Sequence, residues 1–194
     1  MNVLAIMGSA RNRKNTYTML NAFLEGMDAD DISIFVPSEM NIRGCLACGA
    51  CAKIGKCAVS DDMERFYEKV PTADCMLLAT PIYFNGIPGE AKKLIDRTQV
   101  YWSQKYELMK NGPGNKSRPA YLLANGGAPF EFNQFTGARL TADYFFRACN
   151  FDFIGQYCIS KTDSFEVANR QDVLKELKIL GNKWNNKEKY IIQR

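Results

Sequence analysis

Histidine is missing from all 194 residues. That absence removes Ser-His and Cys-His nucleophile pairs, His-ligated zinc and Rieske-type clusters, each of which needs an imidazole. Long apolar runs are also missing, since nothing approaches the ~18 residues of a membrane-spanning helix. The apolar start at Asn2 to Met7 is too short for a secretory leader and has no positive charge before it. These absences lead to the expectation of a cytoplasmic protein without a membrane partner. An excess of one charge is lacking too. Lys and Arg number 25 against 21 Asp and Glu, and a net charge of +4 is far from the basic stripe that nucleic acid requires. No nucleic-acid partner is expected, although the mild positive balance is compatible with an acidic protein partner. Neither a repeat nor a low-complexity linker divides the chain, so its length predicts one domain over residues 1–194.

What the chain does have is cysteine. Four of its seven cysteines stand together as Cys45-x2-Cys48-x2-Cys51-x5-Cys57. In a reducing compartment such clustering points to metal or redox chemistry rather than to structural disulfides. A structural zinc site takes two separated C-x2-C knuckles, whereas three cysteines at i, i+3 and i+6 with a fourth nearby wrap a single cluster. Gly44, Gly49 and Gly55 would let backbone approach inorganic sulfide, and Lys53 and Lys56 would offset its negative charge. The plain alternative is a set of free thiols or adventitious zinc. Cys75, Cys149 and Cys158 read differently, as small apolar fillers that burial makes inert.

Along the chain, Asn2 to Met7 predicts a strand, and Gly8 to Thr16 is a polar loop. Met19, Leu20, Phe23, Leu24 and Met27 then recur on one helical face, with Asn15 or Thr16 placed to cap. Ile32 to Val36 predicts a second strand. Asp61 and Asp62 open a helix carrying Met63, Phe66, Tyr67 and Val70. The continuous apolar run from Asp74 to Thr80 predicts a strand buried on both faces. Pro81 to Pro88 follows, and Ala91, Leu94 and Ile95 mark a helix. Residues 100–116 predict a helix end and an exposed connection, with Tyr101, Trp102 and Tyr106 in the core or at a subunit contact. Pro119 to Ala124 and Phe151 to Ile159 are strands on either side of a helix from Thr136 to Asn150. Ser164 is expected to cap a last helix bearing Val167, Leu174, Leu177 and Leu180. A polar, frayed tail then holds Lys187, Glu188 and Lys189 in solvent.

Strands and helices alternating in this way predict an α/β fold, a doubly wound five-stranded parallel sheet in the order 2-1-3-4-5 with helices on both faces. A ligand then binds outside the carboxyl ends of the first and third strands. Gly8 to Thr16, Pro81 to Gly86 and Asn125 to Gly127 converge there. The first presents a helix N-terminus suited to phosphate and the second carries Tyr83 and Phe84, so the pocket suits a flat phosphorylated cofactor. Neither the P-loop spacing nor the three-glycine dinucleotide fingerprint is present.

Gly8-Ser9-x-Arg11 with Asn15-Thr16, and Thr80-Pro81-x-Tyr83, make roughly residues 1–160 resemble the NADPH-dependent FMN reductase group of flavodoxin-like proteins. The cysteine spacing is similar to that of its iron-sulfur flavoprotein branch. The resemblance implies FMN, with Ser9, Arg11, Asn15 and Thr16 toward its phosphate. It places Pro81, Ile82, Tyr83, Phe84 and Asn85, together with Asn125, Gly126 and Gly127, against the isoalloxazine. It further implies a 4Fe-4S cluster on Cys45, Cys48, Cys51 and Cys57, in an insertion at about residues 44–58 following the second strand. No catalytic side chain is implied, because FMN carries the chemistry. A homo-oligomer, dimer or tetramer, is expected, with a cluster serving the flavin of a neighbouring subunit. A ferredoxin-like protein or NAD(P)H is the expected donor.

The expected function is thus an FMN-dependent oxidoreductase that passes electrons between cluster and flavin. One alternative is an NAD(P)H-dependent FMN or quinone reductase in which the cysteines are incidental. The other is a redox-sensing binding protein whose cysteine loop reports oxidation to a partner.

Overall fold

A computed structural model describes residues 1–115, 118–185 and 189–194. Among them, six parallel strands form one sheet: β1 (Asn2–Met7), β2 (Asp31–Phe35), β3 (Cys75–Pro81), β4 (Arg118–Asn125), β5 (Phe151–Ile159) and β6 (Tyr190–Gln193). Their order is β2-β1-β3-β4-β5-β6. The order 2-1-3-4-5 is therefore the expected one, and the expectation of five strands is corrected to six.

The sixth strand forms where a frayed tail was expected. Lys187 and Glu188 lie outside the described residues, and Lys189 is exposed. A ring helps the β5 ladder to hold β6. Tyr190 stacks on Tyr121 at 6.0 Å between centroids and sits over Gly155, where any Cβ would collide with it. β5 accommodates this by an extra residue, Ile154, between the partners of Ala120 and Tyr121.

Side chains alternate across the strands into two apolar layers. Leu4, Ile6, Met76, Leu78 and Leu122 face one layer. They meet Phe66 of α3 (Met63–Lys69), Leu94 of α4 (Gly89–Arg97), Tyr101 of α5 (Gln99–Tyr106) and Phe145 and Phe146 of α6 (Thr136–Ala148). Val3, Ala5, Leu77, Leu123 and Tyr157 face the other, against Phe23 of α1 (Asn15–Leu24) and Leu177 of α7 (Gln171–Asn182). Every residue of β3 is buried, which its unbroken apolar run predicts.

The helix starts differ from the expectation. Lys14 precedes α1 and makes no side-chain cap, while Asn15 and Thr16 turn to more distant partners. Ser164 caps nothing. Its hydroxyl donates to the Lys161 carbonyl, Val167 lies in a separate 3-10 turn, and α7 begins only at Gln171. Tyr101 is buried as expected, whereas Trp102 and Tyr106 are exposed and tilt against each other at 5.4 Å. No helix among the described residues is long and apolar enough to cross a membrane.

Candidate functional site

Because the strands are parallel, the loops leaving β1, β3, β4 and β5 emerge at the same edge of the sheet. They enclose a cavity of about 220 Å³. Ser9, Arg11, Asn15, Thr16, Pro81, Ile82, Tyr83, Asn125 and Gly127 line it, so most of the residues named from the sequence meet there. The crevice sits at the switch point between β1 and β3, where ligands of such sheets bind.

Its geometry follows from a few polar contacts. Thr16 is buried, and its hydroxyl donates to Asn125 Oδ1 at 2.6 Å, which joins the start of α1 to the end of β4. Asn15 Nδ2 donates to the Thr162 carbonyl at 3.2 Å, and Asn15 Oδ1 accepts the Val167 N–H at 2.8 Å. Asn15 thereby ties α1 to the loop after β5. The Arg11 N–H donates to Ser9 Oγ at 3.1 Å, folding the first loop back on itself. α1 has no side-chain cap, so its first-turn N–H groups lack a capping partner where Lys14, Asn15 and Thr16 line the crevice, with the helix dipole behind them. That is the chemistry of an anion site, and the exposed Arg11 guanidinium stands at its rim. Lys14 pairs instead with Glu166 at 3.1 Å.

Gly126, Phe84 and Asn85 were named from the sequence but do not line the cavity. The Gly126 N–H donates to Ile159 and its carbonyl accepts from Thr162, so it extends the ladder between β4 and β5. Phe84 and Asn85, at φ +49° and +59°, form a two-residue turn closed by paired Tyr83 and Gly86 hydrogen bonds. This leaves the Phe84 ring fully in solvent. The sequence reading missed Thr162 and Asp163, which complete the wall from the loop after β5. Their signal was available, because that loop leaves a strand end exactly as the other three do. Asp163 closes directly over Gly127, where a Cβ would strike its carboxylate.

A second cavity, of about 450 Å³, opens on the segment after β2 and is lined by Cys45, Cys48, Cys51 and Cys57 together. Cys51 is the second residue of the short helix α2 (Ala50–Ile54), which Gly49 and Gly55 bound at both ends with φ +70°. Only glycine adopts that conformation without strain, so each end of the turn depends on it. Cys45 and Cys48 are exposed, and Cys51 and Cys57 are half-buried. Among the described residues no three Cys, Asp or Glu side chains are close enough to hold a metal ion in common. The four thiols fit a thiolate-ligated centre by donor type and by sharing one cavity, while their spacing in the structure is that of free thiols.

One wall of this cavity holds Arg97, which no sequence signal revealed. It forms a two-pronged ion pair with Asp61, at 2.6 and 3.1 Å, with both side chains almost wholly buried. Burial alone would raise the Asp61 carboxyl. The Arg97 guanidinium and the N–H groups of Arg43 and Met63 outweigh it and hold the carboxyl below its usual range. The three remaining cysteines behave as expected of inert fillers. Burial raises the thiols of Cys75 and Cys149, and it pushes Cys158 up to about 12.

Residues 1–131 match the model of the NADPH-dependent FMN reductase family, two thirds of the chain. The chain belongs to that family. Within reach of this FMN reductase family member is an iron-sulfur flavoprotein of Methanosarcina thermophila, 34% identical over 119 residues, 59% of this chain and 60% of the relative. An iron-sulfur flavoprotein of Archaeoglobus fulgidus is 35% identical over 137 residues, 67% of this chain and 64% of the relative. The aligned stretches thus span less than two thirds of these relatives' lengths. Among solved structures, an NAD(P)H:quinone oxidoreductase from Methanothermobacter marburgensis superimposes with a TM-score of 0.73 at 16% identity. It covers 96% of this chain and 98% of its own, a likeness of fold. The FMN reductase family member therefore has the flavodoxin-like architecture that its loop motifs imply.

Proposed function

We propose that this FMN reductase family member is a flavin-dependent oxidoreductase that holds FMN in the crevice and exchanges electrons through an iron-sulfur centre on Cys45, Cys48, Cys51 and Cys57. The observation that carries the reading is the second cavity, whose wall includes all four thiols of a C-x2-C-x2-C-x5-C set. When bound, FMN supplies one- and two-electron chemistry, and a 4Fe-4S centre supplies single electrons.

The chain's own part is to bind and orient. The uncapped start of α1, Ser9 and Arg11 suit the phosphate, and the bond from Thr16 to Asn125 keeps that end of the crevice in shape. A cavity of 220 Å³ is smaller than the ~300–1,000 Å³ of pockets that enclose a whole ligand. The flavin ring would therefore lie against the rim, beside Tyr83, Phe84 and the backbone from Asn125 to Gly127. No ionisable side chain is assigned a proton-transfer role.

A homo-oligomer and a ferredoxin-like donor belong to the same reading. Support for the first comes from exposed aromatic side chains, Phe84 and Phe132 above all, which stand in water in the single chain. NAD(P)H remains an alternative donor. A second reading, a direct NAD(P)H-dependent FMN or quinone reductase without a cluster, is favoured by the separation of the four sulfurs.

Anaerobic purification followed by iron, acid-labile sulfide and flavin analysis tests the proposal. The expected result is one FMN with about four iron and four sulfide per chain and a broad thiolate-to-iron absorption. Stoichiometric FMN without iron or sulfide overturns the cluster, and rapid anaerobic bleaching by NADPH alone would then establish the second reading.

A further inference from the structure

Arg97 belongs neither to the crevice nor to the thiol set, yet it lines the thiol cavity. Its Nη1 donates to the Arg43 carbonyl at 2.9 Å, and its Nη2 donates to the Val59 carbonyl at 3.0 Å. Arg43 and Val59 stand on either side of the segment that carries all four thiols. One guanidinium therefore joins both ends of the cysteine loop. Asp61 completes the clamp by accepting the Arg43 N–H at 3.0 Å while pairing with the same guanidinium.

Two neighbours on α5 grip the loop farther along. The Ser103 hydroxyl donates to Cys51 Sγ at 3.4 Å, and Gln104 Nε2 donates to the Gly55 carbonyl at 2.8 Å, where α2 ends.

Stability alone is a poor reason for such a pair. A buried ion pair commonly gains nothing over apolar residues of similar size. Its distinctive consequence is a closed loop, whose closure entropy is met before any ligand arrives.

We propose that Arg97 is a positioning residue for the thiol set. It closes the ends of the cysteine loop on one buried ion pair, so that the thiols are preorganised before any ligand arrives. The preorganisation of the thiols for a centre rests on the reading of Cys45, Cys48, Cys51 and Cys57 as cluster ligands, whereas the loop-closing role does not.

The test compares the full-length protein with the double variant Arg97→Met/Asp61→Leu, which removes both charges and leaves neither one orphaned, and with Arg97→Lys, which keeps the charge and loses the fork. Amide hydrogen exchange without added iron is the first measurement. In the double variant, segment 43–59 should exchange about tenfold faster while β1, β3 and β4 keep their protection. Reconstitution with ferrous iron and sulfide under anaerobic conditions is the second. Iron and sulfide uptake should fall in the double variant, with Arg97→Lys closer to the parent. A folded double variant that no longer takes up iron also supports the positioning role.

Unchanged exchange in segment 43–59 overturns the loop-closing role. Unchanged iron and sulfide uptake by the double variant overturns the preorganisation of the thiols. If the double variant does not fold, Arg97→Lys decides through the same two measurements. A parent protein that binds no iron refutes the cluster reading, and the exchange measurement still decides whether Arg97 closes the loop.

Discussion

The two cavities are built in opposite ways. The crevice is assembled from strand ends, and its walls continue the hydrogen-bond ladder of the sheet: Gly126 pairs with Ile159, Thr162 with Gly126 and Asp163 with Gly127. The thiol cavity lies on a segment with no strand of its own, shaped by two left-handed glycines and held from outside by Arg97, Ser103 and Gln104. One site inherits its rigidity from the fold, and the other borrows it from three side chains. Mutations should therefore act locally and steeply at the thiol cavity, and more diffusely at the crevice.

The largest effect is expected at Asp61. Asp61→Ala leaves the Arg97 guanidinium buried and unpaired, and should cost about 3–5 kcal/mol in denaturant unfolding. A loss below ~1 kcal/mol would mean that the two cavities are less different than the geometry implies.

The same pair gives a pH signature. The Asp61 carboxyl lies below its ordinary value of 3.8 in the folded protein, so its contribution is complete above that value and is lost as pH falls through the lower, folded value. With no histidine in the chain, no imidazole titration is expected near neutrality. Stability between about pH 5 and 8 should be nearly flat, followed by acid loosening that starts in segment 43–59. Hydrogen exchange at stepped pH measures it, and a transition near pH 6.5, the ordinary histidine range, would contradict it.

An intermediate effect belongs to the crevice. Thr16→Val leaves the Asn125 oxygen without its donor and should cost about 1–3 kcal/mol, together with weaker FMN binding by calorimetry. Unchanged affinity would detach this contact from the flavin site.

The smallest effect separates binding from folding. Phe84 is fully exposed and sits at φ +49°, a conformation that costs a non-glycine residue about 1 kcal/mol. Phe84→Gly should leave the fold unchanged or slightly more stable, and reduce FMN affinity through loss of the ring. Lower stability with unaltered flavin binding would reverse that assignment.

The contrast between the sites also explains what the sequence revealed. β3 was legible because an apolar run from Cys75 onward, buried on both faces, admits little else. The crevice was legible because each wall follows a strand end. Asn15 and Thr16 misled because their residue types favour caps, while their actual partners, Thr162, Val167 and Asn125, stand more than a hundred positions away. Cysteine spacing marked the thiol cavity, but nothing near Arg97 announced that it would meet Asp61 and both ends of the loop. Local propensity names the parts, and contacts between distant segments decide how they are used.

β6 makes the same point at the edge of the sheet. Four residues are few to define an alignment, and a slip of one would turn Tyr190 outward. The bare backbone at Gly155 acts as an address: a ring of one shape finds a hollow of the matching shape, with Tyr121 as its floor. Filling that hollow, as Gly155→Ala would, removes the address without deleting a single hydrogen bond. β6 would then lose its register against β5, so this one glycine decides how the sheet ends.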